Sequence, residues 1–213
     1  MPRPSRNVDA LLLAAGRELY PRTGAAGLSV RKVAEQAGAN LGMFHYHFGT
    51  KDAFVRTLLQ SIYEQMFAEL ETAAARDPDP VDRLRSALQV IARFVRDNRI
   101  LLRRLMGDVV AGEAAAVDFA RENFPRHFAI VVALIAASQQ AGRMKAVPLA
   151  QAVTFVAGAI AAPILVGSAI VDGGLAPAML AGRFESDVLS NEALDERIDL
   201  AIAGLASDAG GAT

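Results

Sequence analysis

Five ring-bearing side chains stand next to one another in the stretch FHYHFGTK, residues 44–51. Two of these rings, His45 and His47, are imidazoles that can donate or accept a hydrogen bond, and Lys51 adds a positive charge. Such side chains can together contact a partner that is flat, polar and negatively charged. The stretch is therefore either an unusual corner of a hydrophobic core or a surface that binds such a partner.

The residues before this stretch predict two short helices within residues 29–48. Ser29 can cap the first helix, and Gly38 supplies the left-handed residue that ends a helix without a Cβ clash. Asn40 can then open the second helix. Two short helices at this spacing are the helix-turn-helix arrangement, in which the second helix can be presented to a groove of DNA.

Basic residues are concentrated near the N-terminus, although the net charge of the whole chain is only −1. Residues 1–56 carry eight Arg and Lys against four Asp and Glu, which gives +4 for this part and −5 for the remainder. A basic N-terminal part on an acidic remainder indicates that the N-terminal part meets a polyanion. Arg3 and Arg6 lie on a Pro-flanked arm that we expect to add phosphate contacts.

Apolar residues repeat with helical spacing along the chain, and the alternation typical of strands is nearly absent. The sequence therefore predicts an all-α fold of about nine helices, with three small helices preceding a larger helical domain. The first helix is predicted to end at Pro21 and Gly24, and a long fourth helix to begin at Thr50. Later helices are predicted from Pro80 with Asp79 as cap, at 99–110, at 113–141 with a bend or break at Pro125, at 148–171 and at 190–206, with a loop beginning at 172–177.

The pattern predicts a helix-turn-helix domain at 1–50, a larger helical domain at 51–206 and a frayed tail at 207–213. The chain has no cysteine, which excludes disulfides and suits a reducing compartment. Its start is a poor signal peptide, because the apolar stretch 10–15 is short and closely flanked by charges. We therefore expect a cytoplasmic protein.

Within residues 8–56, the segment LSVRKVAEQAGANLGMFHYHFGTKDAF resembles the N-terminal DNA-binding segment of the TetR family of bacterial transcriptional repressors. The resemblance rests on a hydrophobic–Ala–x–x–Ala–Gly turn, an aromatic-rich helix and a Gly–Thr–Lys ending. The rest of the chain matches only in its helical architecture, and the resemblance implies that residues 51–206 form an effector-binding and dimerisation domain. The resemblance implies a homodimer that binds double-stranded DNA at a palindromic operator and releases it when a small molecule occupies the C-terminal domain.

The same resemblance assigns residues to the DNA contact. The sequence departs from the family pattern at Met43, where Thr or Ser is frequent, and at His45, where Tyr is frequent. Met43 can offer only apolar contact, for example to a thymine methyl group. Lys51 falls where a lysine holds a phosphate, whereas Phe44 and Phe48 are expected in the core. The residues placed at the DNA are Ser29, Arg31, Asn40, Leu41, Gly42, Met43, His45, Tyr46, His47 and Lys51.

His45 and His47 are not expected to hold a metal. Residues two apart on a helix point about 200° apart, whereas helical ligand pairs are three or four residues apart. The chain has no P-loop, GxSxG, GxGxxG or HExxH motif, and His127 has no acid or serine close to it in the sequence. We therefore expect no enzymatic activity, no metal and no cofactor.

Residues 146–171 contain no charged side chain, and Arg143 and Lys145 flank one end. A run of this length can cross a bilayer, so a membrane-anchored regulator is an alternative. Gln151, Thr154 and many small residues instead favour a helix that packs closely against other helices. In the TetR family the penultimate helix pairs with its mate and with the last helix, which implies a homodimer here. The predicted interface residues are Ala159, Ala162, Val166, Leu194, Ile198 and Ile202.

A small, mostly apolar effector is expected among helices four to eight, with one polar end near Arg121, Asn123 or His127. The fourth helix links the two domains, so an effector that shifts it would change the separation of the two DNA-binding heads. A regulator controlled by a protein partner, without a small-molecule pocket, is the alternative. The candidate effector contacts are Phe67, Phe94, Leu101, Leu105, Phe119, Asn123, Phe124, His127, Phe128 and Phe155.

Overall fold

The computed structural model describes residues 7–207, and every regular element in that range is helical. This confirms the all-α prediction, and the helices predicted after Thr50 agree closely with the observed ones. Two π-helical turns occur, at Pro163–Gly167 and Glu185–Leu189. The α-helices are α1 Val8–Gly27, α2 Val30–Gln36, α3 Leu41–Phe48, α4 Lys51–Ala75, α5 Pro80–Asp97, α6 Arg99–Val110, α7 Ala114–Gln140, α8 Leu149–Ala162, α9 Ser168–Asp172, α10 Ala178–Ala181 and α11 Asn191–Leu205.

Proline interrupts the helices less than glycine does. Pro21 lies inside α1, whereas Gly24 leaves the helical conformation, at φ 67° and ψ −175°, so the predicted break at Gly24 is present as a kink and the residues up to Gly27 follow it. α7 includes Pro125 within its length. A proline removes one hydrogen-bond donor, and a long helix whose other residues are well packed tolerates that loss. The segment 173–190, predicted to begin as a loop, contains α10 and the second π-helical turn.

The chain divides into two compact units. Of the described residues, the first comprises those up to Glu64 together with Ile100–Phe124, and the second comprises Gln65–Arg99 together with those from Pro125 onward. These packed units do not follow the predicted domain boundaries at residues 50 and 206, which remain a prediction about function. The Arg3 and Arg6 arm and the predicted tail beyond Ser207 lie outside the described residues.

Phe54 lies at the centre of the core of the first unit. Its ring centroid is 5.0 Å from that of Phe44 and 4.9 Å from that of Phe48. It approaches α1 closely because Gly16 has no side chain, and a Cβ at that position would lie 2.5 Å from Phe54 Cζ. Phe44 and Phe54 are fully buried, as predicted for Phe44, while Phe48 is half-buried. These rings join α1, α3 and α4.

A buried carboxylate joins α1 to α6 within the same unit. Asp108 is 1% exposed and accepts hydrogen bonds from the Tyr20 hydroxyl and from the Ala25 backbone N–H, both at 2.8 Å. Arg104, one turn earlier on α6, forms an ion pair with it at 3.1 Å. Burial and then the hydrogen bond to Asp108 raise the pKa of Tyr20, so the hydroxyl remains a donor. The Arg104 guanidinium also occupies the space that a side chain at Gly24 would need.

In the second unit, α11 packs against α5 and α8. Leu194, Ile198 and Ile202 recur every four residues on α11 and are all buried. At the edge of this contact, Arg85 of α5 donates to Asp199 of α11 at 2.8 Å. An apolar stripe and a bordering ion pair therefore hold α11 in place.

Leu149–Asp172 is a continuous helical stretch in which α8 passes through the first π-helical turn into α9. By length and composition alone it could cross a membrane, with a mean hydropathy of 2.1. Val156 and Ile160 are buried in the core of the unit. Phe155 and Val166, by contrast, are 47% and 57% exposed. Within one chain, this helix buries one side and leaves a second apolar side uncovered.

The predicted dimer residues fall into two groups. The three on α11 are the buried residues described above, so the chain's own core already covers them and they have little surface for a partner. Ala162 and Val166 are exposed and Ala159 is half-buried. Leu200, which the prediction omitted, is 66% exposed on α11. The side chains available to a second copy are therefore those between the buried positions.

Replacing Asp108 with Ala is expected to lower the free energy of unfolding by about 3 kcal/mol, because two buried donors lose their acceptor. The matched control is Asp118→Ala on α7, since Asp118 is 43% exposed and pairs with Arg56 at 3.7 Å. We expect that control to cost no more than about 1 kcal/mol. Denaturant unfolding of the three proteins measures the difference, and equal midpoints for the two variants would contradict a structural role of Asp108.

Candidate nucleic-acid interface

Two capped helices position the predicted contact residues. The Ser29 hydroxyl accepts a hydrogen bond from the Lys32 backbone N–H at 3.4 Å, and Asn40 Oδ1 accepts one from the Met43 backbone N–H at 2.9 Å. Between these helices Gly38 adopts a left-handed φ of 64°. Each cap satisfies a backbone donor that the helix leaves unpaired. The predicted helix-turn-helix and both of its caps are confirmed.

Burial of Phe44 sets which side of α3 faces outward. Successive residues of a helix point about 100° apart, so Tyr46 points about 200° away from Phe44. Phe44 is 0% exposed and Tyr46 is 77% exposed, as this geometry requires. Met43 is half-buried. The exposed residues of α3 are Leu41, Gly42, His45, Tyr46 and His47, and we call them the α3 outer face.

His45 and Gly49 form a reciprocal pair at the end of α3. The Gly49 backbone N–H donates to the His45 carbonyl at 3.0 Å, and His45 Nδ1 lies 2.9 Å from the Gly49 carbonyl oxygen. Gly49 has a φ of 69°, which a residue with a side chain adopts only with strain. The pair ends the helix and holds the exposed imidazole in one orientation.

Tyr46 and His47 form a second ring pair on the α3 outer face. Their centroids lie 5.2 Å apart with the ring planes at 86°. One ring therefore presents its edge to the face of the other, the arrangement that aromatic quadrupoles favour. The hydroxyl and the imidazole of this pair give the α3 outer face several hydrogen-bonding groups.

Lys51 makes a contact that the sequence did not predict. Its ammonium group donates to the Ala26 carbonyl at 3.0 Å, near the end of α1. An ammonium group has three N–H donors, so two remain for another acceptor. Arg31, at the start of α2, is exposed. Lys51 thus has a structural contact in addition to its predicted phosphate contact, which remains a prediction.

Comparison with known proteins relates the N-terminal part of the chain to one family. Residues 12–58, the region that contains α2 and α3, match the family model described as bacterial regulatory proteins, tetR family. Curated relatives and solved structures of TetR-type regulators are similar to the chain as well. The similarity to the TetR family therefore lies in the helix-turn-helix segment of this chain.

Two curated relatives and one solved structure illustrate this similarity. The HTH-type transcriptional repressor Rv3405c of Mycobacterium tuberculosis is 30% identical over 113 residues, which cover 53% of this chain and 54% of that protein. The nucleoid occlusion factor SlmA of Aliivibrio fischeri is 26% identical over 112 residues, which cover 53% and 57% of the two chains. The chain therefore spans about half the length of the curated relatives it matches. These names agree with the prediction that the chain is not an enzyme.

The solved structure of the TetR family regulator PfmR from Thermus thermophilus has a TM-score of 0.67 to this chain. The match covers 92% of this chain and 99% of PfmR at 18% sequence identity. At this identity the similarity concerns the fold. It agrees with the all-α architecture predicted for the chain beyond the helix-turn-helix.

The predicted effector contacts are divided between the two units of the chain. Five of them, Leu101, Leu105, Phe119, Asn123 and Phe124, belong to the first unit, and the other five, Phe67, Phe94, His127, Phe128 and Phe155, belong to the second. Asn123 is fully buried, and its amide exchanges hydrogen bonds with the amide of Gln60 at 2.8 and 3.1 Å. In the second unit the Arg126 guanidinium lies 3.9 Å from the Phe67 ring centroid. Their role as effector contacts remains a prediction.

Each unit also has an open groove on its surface. The groove of the second unit, about 490 Å³, includes Phe155 together with Gln151 and Thr154. The groove of the first unit, about 530 Å³, contains none of the predicted effector contacts. It is lined by Ala53, Arg56, Thr57, Gln60, Ser61, Glu64 and Glu122. Sequence periodicity missed these residues because it selects apolar positions.

The contribution of the Asn40 cap to stability can be measured separately from any contact that Asn40 makes with DNA. Asn40→Ala removes the acceptor for the Met43 N–H and is expected to lower the free energy of unfolding by about 1 kcal/mol. Asn40→Asp keeps an acceptor, so its stability should stay close to that of the wild type, while its charge should weaken duplex binding. Denaturant unfolding and fluorescence anisotropy measure the two effects. Wild-type stability in Asn40→Ala would show that the cap contributes nothing.

Proposed function

We propose that this protein is a DNA-binding transcriptional regulator that inserts α3 into the major groove of a palindromic operator as a homodimer. The observation that carries the proposal is the α3 outer face, which is exposed, rich in rings and hydrogen-bonding groups, and held on a capped helix-turn-helix. The mycobacterial relative is a transcriptional repressor by name, which supports repression rather than activation.

The chemistry of the α3 outer face suits both kinds of DNA contact. Tyr46 and His47 can hydrogen-bond to phosphates or to base edges, whereas Leu41 can contact a thymine methyl group. Arg31 and Lys51 can neutralise phosphates. Contacts to phosphates position the helix on the DNA, and contacts to base edges determine which sequence is bound. In this proposal the two helix-turn-helix domains of the dimer bind successive major grooves about 34–36 Å apart.

Selection of bound duplexes from random DNA by the purified protein tests the proposal. The expected result is a palindromic motif whose half-sites are one helical turn apart. A protein that enriches no sequence and binds no duplex at low ionic strength would overturn the function proposed here.

Changing Lys51 to Ala should weaken binding to all duplexes alike and make binding less sensitive to salt. A dimer that neutralises about eight phosphates has a log–log salt slope of about −7, and losing one contact per protomer brings it to about −5. Titrations at several salt concentrations measure the slope. The matched control is Lys145→Ala, an exposed lysine of the second unit, which should leave the slope unchanged. An unchanged slope in Lys51→Ala would show that Lys51 does not contact a phosphate.

The uncovered side of Leu149–Asp172 supports the homodimer. Only 28% of its most apolar window is buried within one chain, and Ala162 is small enough for a second helix to approach closely. A second copy that covers this side would remove the apolar surface from water. The same helix suits a membrane-anchored regulator by length and composition, and that is the second candidate.

A charge on this side should disrupt the dimer. Val166→Glu is expected to weaken dimerisation at least about tenfold, because the interface would bury an unpaired carboxylate. Val110→Glu on α6, where the side chain is 85% exposed, is the matched control and should remain dimeric. Sedimentation at several concentrations measures the association. A wild-type protein that stays in the membrane pellet after carbonate washing would instead support the membrane-anchored candidate.

A small, mostly apolar effector is part of the proposal, and the burial of several predicted contacts, such as Phe67 and Phe119, supports an apolar environment. α4 contributes residues to both units, so an effector that changes its position could change the spacing of the heads. A coupling of about 1–3 kcal/mol is enough for a 5- to 150-fold change in affinity. A ligand-dependent rise in Tm separates this case from control by a protein partner. Cytoplasmic location follows from the proposed binding to chromosomal DNA.

A further inference from the structure

The bond between His45 and Gly49 determines which ring nitrogen carries the proton. A backbone carbonyl can only accept a hydrogen bond, so Nδ1, which lies 2.9 Å from the Gly49 oxygen, must be the N–H of the neutral ring. Nε2 is then unprotonated and has a lone pair. The ring of His45 is exposed on the α3 outer face. The neutral side chain therefore presents an acceptor to whatever binds there.

A DNA backbone offers acceptors as well, because phosphate oxygens have no protons to donate. An unprotonated Nε2 cannot hydrogen-bond to a phosphate, and two facing lone pairs repel each other. A protonated imidazole keeps Nδ1–H on Gly49 and gains a second N–H at Nε2, which can donate to a phosphate in a charge-assisted bond. His45 also lies in the last turn of α3, where the helix dipole favours a positive charge.

α3 and the helices that pack against it carry charges of both signs. Within the described residues its polar contact is the Gly49 carbonyl, and its ring packs edge-on against Phe44 at 5.7 Å. No carboxylate forms an ion pair with it in this part of the chain, so no acid there replaces a phosphate as its partner. The charged and titratable groups of α3 and of the helices packed against it are Asp9, Arg17, Glu18, Tyr20 and Arg22 of α1, Arg31, Lys32 and Glu35 of α2, Tyr46 and His47 of α3, and Lys51, Asp52 and Arg56 at the start of α4.

We propose that His45 is a proton-dependent contact to the DNA backbone, so that operator binding takes up a proton at this residue in each protomer. The inference rests on the proposed DNA-binding function and adds to it a dependence on pH. It concerns a position at which this chain has His where Tyr is frequent in its family. A tyrosine hydroxyl can donate to a phosphate at any pH near neutrality, whereas this imidazole can do so only after protonation.

The direction of the effect follows from proton linkage. A group that is more protonated in the complex than in the free protein strengthens binding at low pH, and this gain is lost as the pH rises. Histidine is the side chain type that changes charge between about pH 5 and 8. Two protomers give two such groups, so the dissociation constant can rise by at most about 100-fold for each pH unit.

The experiment measures the affinity of the full-length protein for the selected palindromic duplex from pH 6 to pH 8 at constant ionic strength. For the wild type, the expected Kd at pH 8 is at least about tenfold higher than at pH 6. His45→Gln cannot titrate, and its Kd should change little over the same range. His47→Gln is the matched comparison, because it removes the neighbouring imidazole, leaves the His45–Gly49 bond and should keep the pH dependence.

Several outcomes would overturn the inference without affecting the proposed function. One is a wild type that binds the duplex equally well at pH 6 and pH 8, and another is a pH dependence that survives in His45→Gln. A third is a dependence that disappears in His47→Gln alone. A protein that binds no duplex at any pH would instead overturn the DNA-binding function and this inference with it.

A measurement on the wild type does not depend on how the variants fold. Imidazole ¹⁵N chemical shifts distinguish the two neutral tautomers and the protonated ring. At pH 8 without DNA, His45 should have its proton on Nδ1, and adding the duplex at pH 7 should bring a second proton to Nε2. A proton on Nε2 alone in the free protein, or no change on adding the duplex, would overturn the inference.

Discussion

The packing of three phenylalanine rings is the constraint on which the remaining features of the first unit depend. Phe44 is buried against Phe54, and Phe54 approaches α1 only because Gly16 leaves room for it. A helix of eight residues has little stability of its own, so tertiary packing must hold it. Once Phe44 points inward, helical geometry requires that Tyr46 points outward. The orientation of the α3 outer face is therefore a consequence of the core.

Polar contacts at the ends of the helices add to the positioning of α3 that the three phenylalanine rings provide. Asn40 and His45 lie at the two ends of α3, and each bonds to the backbone there. Asp108 performs a comparable role for α1, where it holds the backbone N–H that follows the kink at Gly24. Several side chains at or near the candidate interface thus stabilise the local backbone, and their effects on binding and on folding have to be measured separately.

The second unit has a different constraint, which is an excess of apolar surface. Its core is complete without the outer side of Leu149–Asp172, since α11 places its buried stripe against α5 and α8. Val166 and Leu200 remain exposed although they are large and apolar. Exposed apolar surface of this kind is unfavourable in water and is usual where a protein binds another surface. The two units therefore differ in the chemistry that they expose, since the first presents the hydrogen-bonding groups of the α3 outer face and the second an apolar helix side.

The sequence alone determined the local features of this protein. The helices, the caps at Ser29 and Asn40 and the stop at Gly38 follow from short-range hydrogen bonding and backbone sterics, which depend on neighbouring residues. The burial of Phe44 and the exposure of Tyr46 also follow from local periodicity. Because these features depend on neighbouring residues, the family resemblance could be recognised in one continuous segment of the sequence.

Only the tertiary structure decided which distant residues meet. The carboxylate of Asp108 accepts a hydrogen bond from Tyr20, which is 88 positions away in the sequence, and no periodic pattern predicts that contact. The bond from Lys51 to the Ala26 carbonyl and the burial of Ile198 within its own chain were likewise hidden. An apolar stripe shows that a helix has a buried side, but it does not show whether the covering surface belongs to the same chain or to a partner. That choice depends on how the helices pack, which is a property of the whole fold.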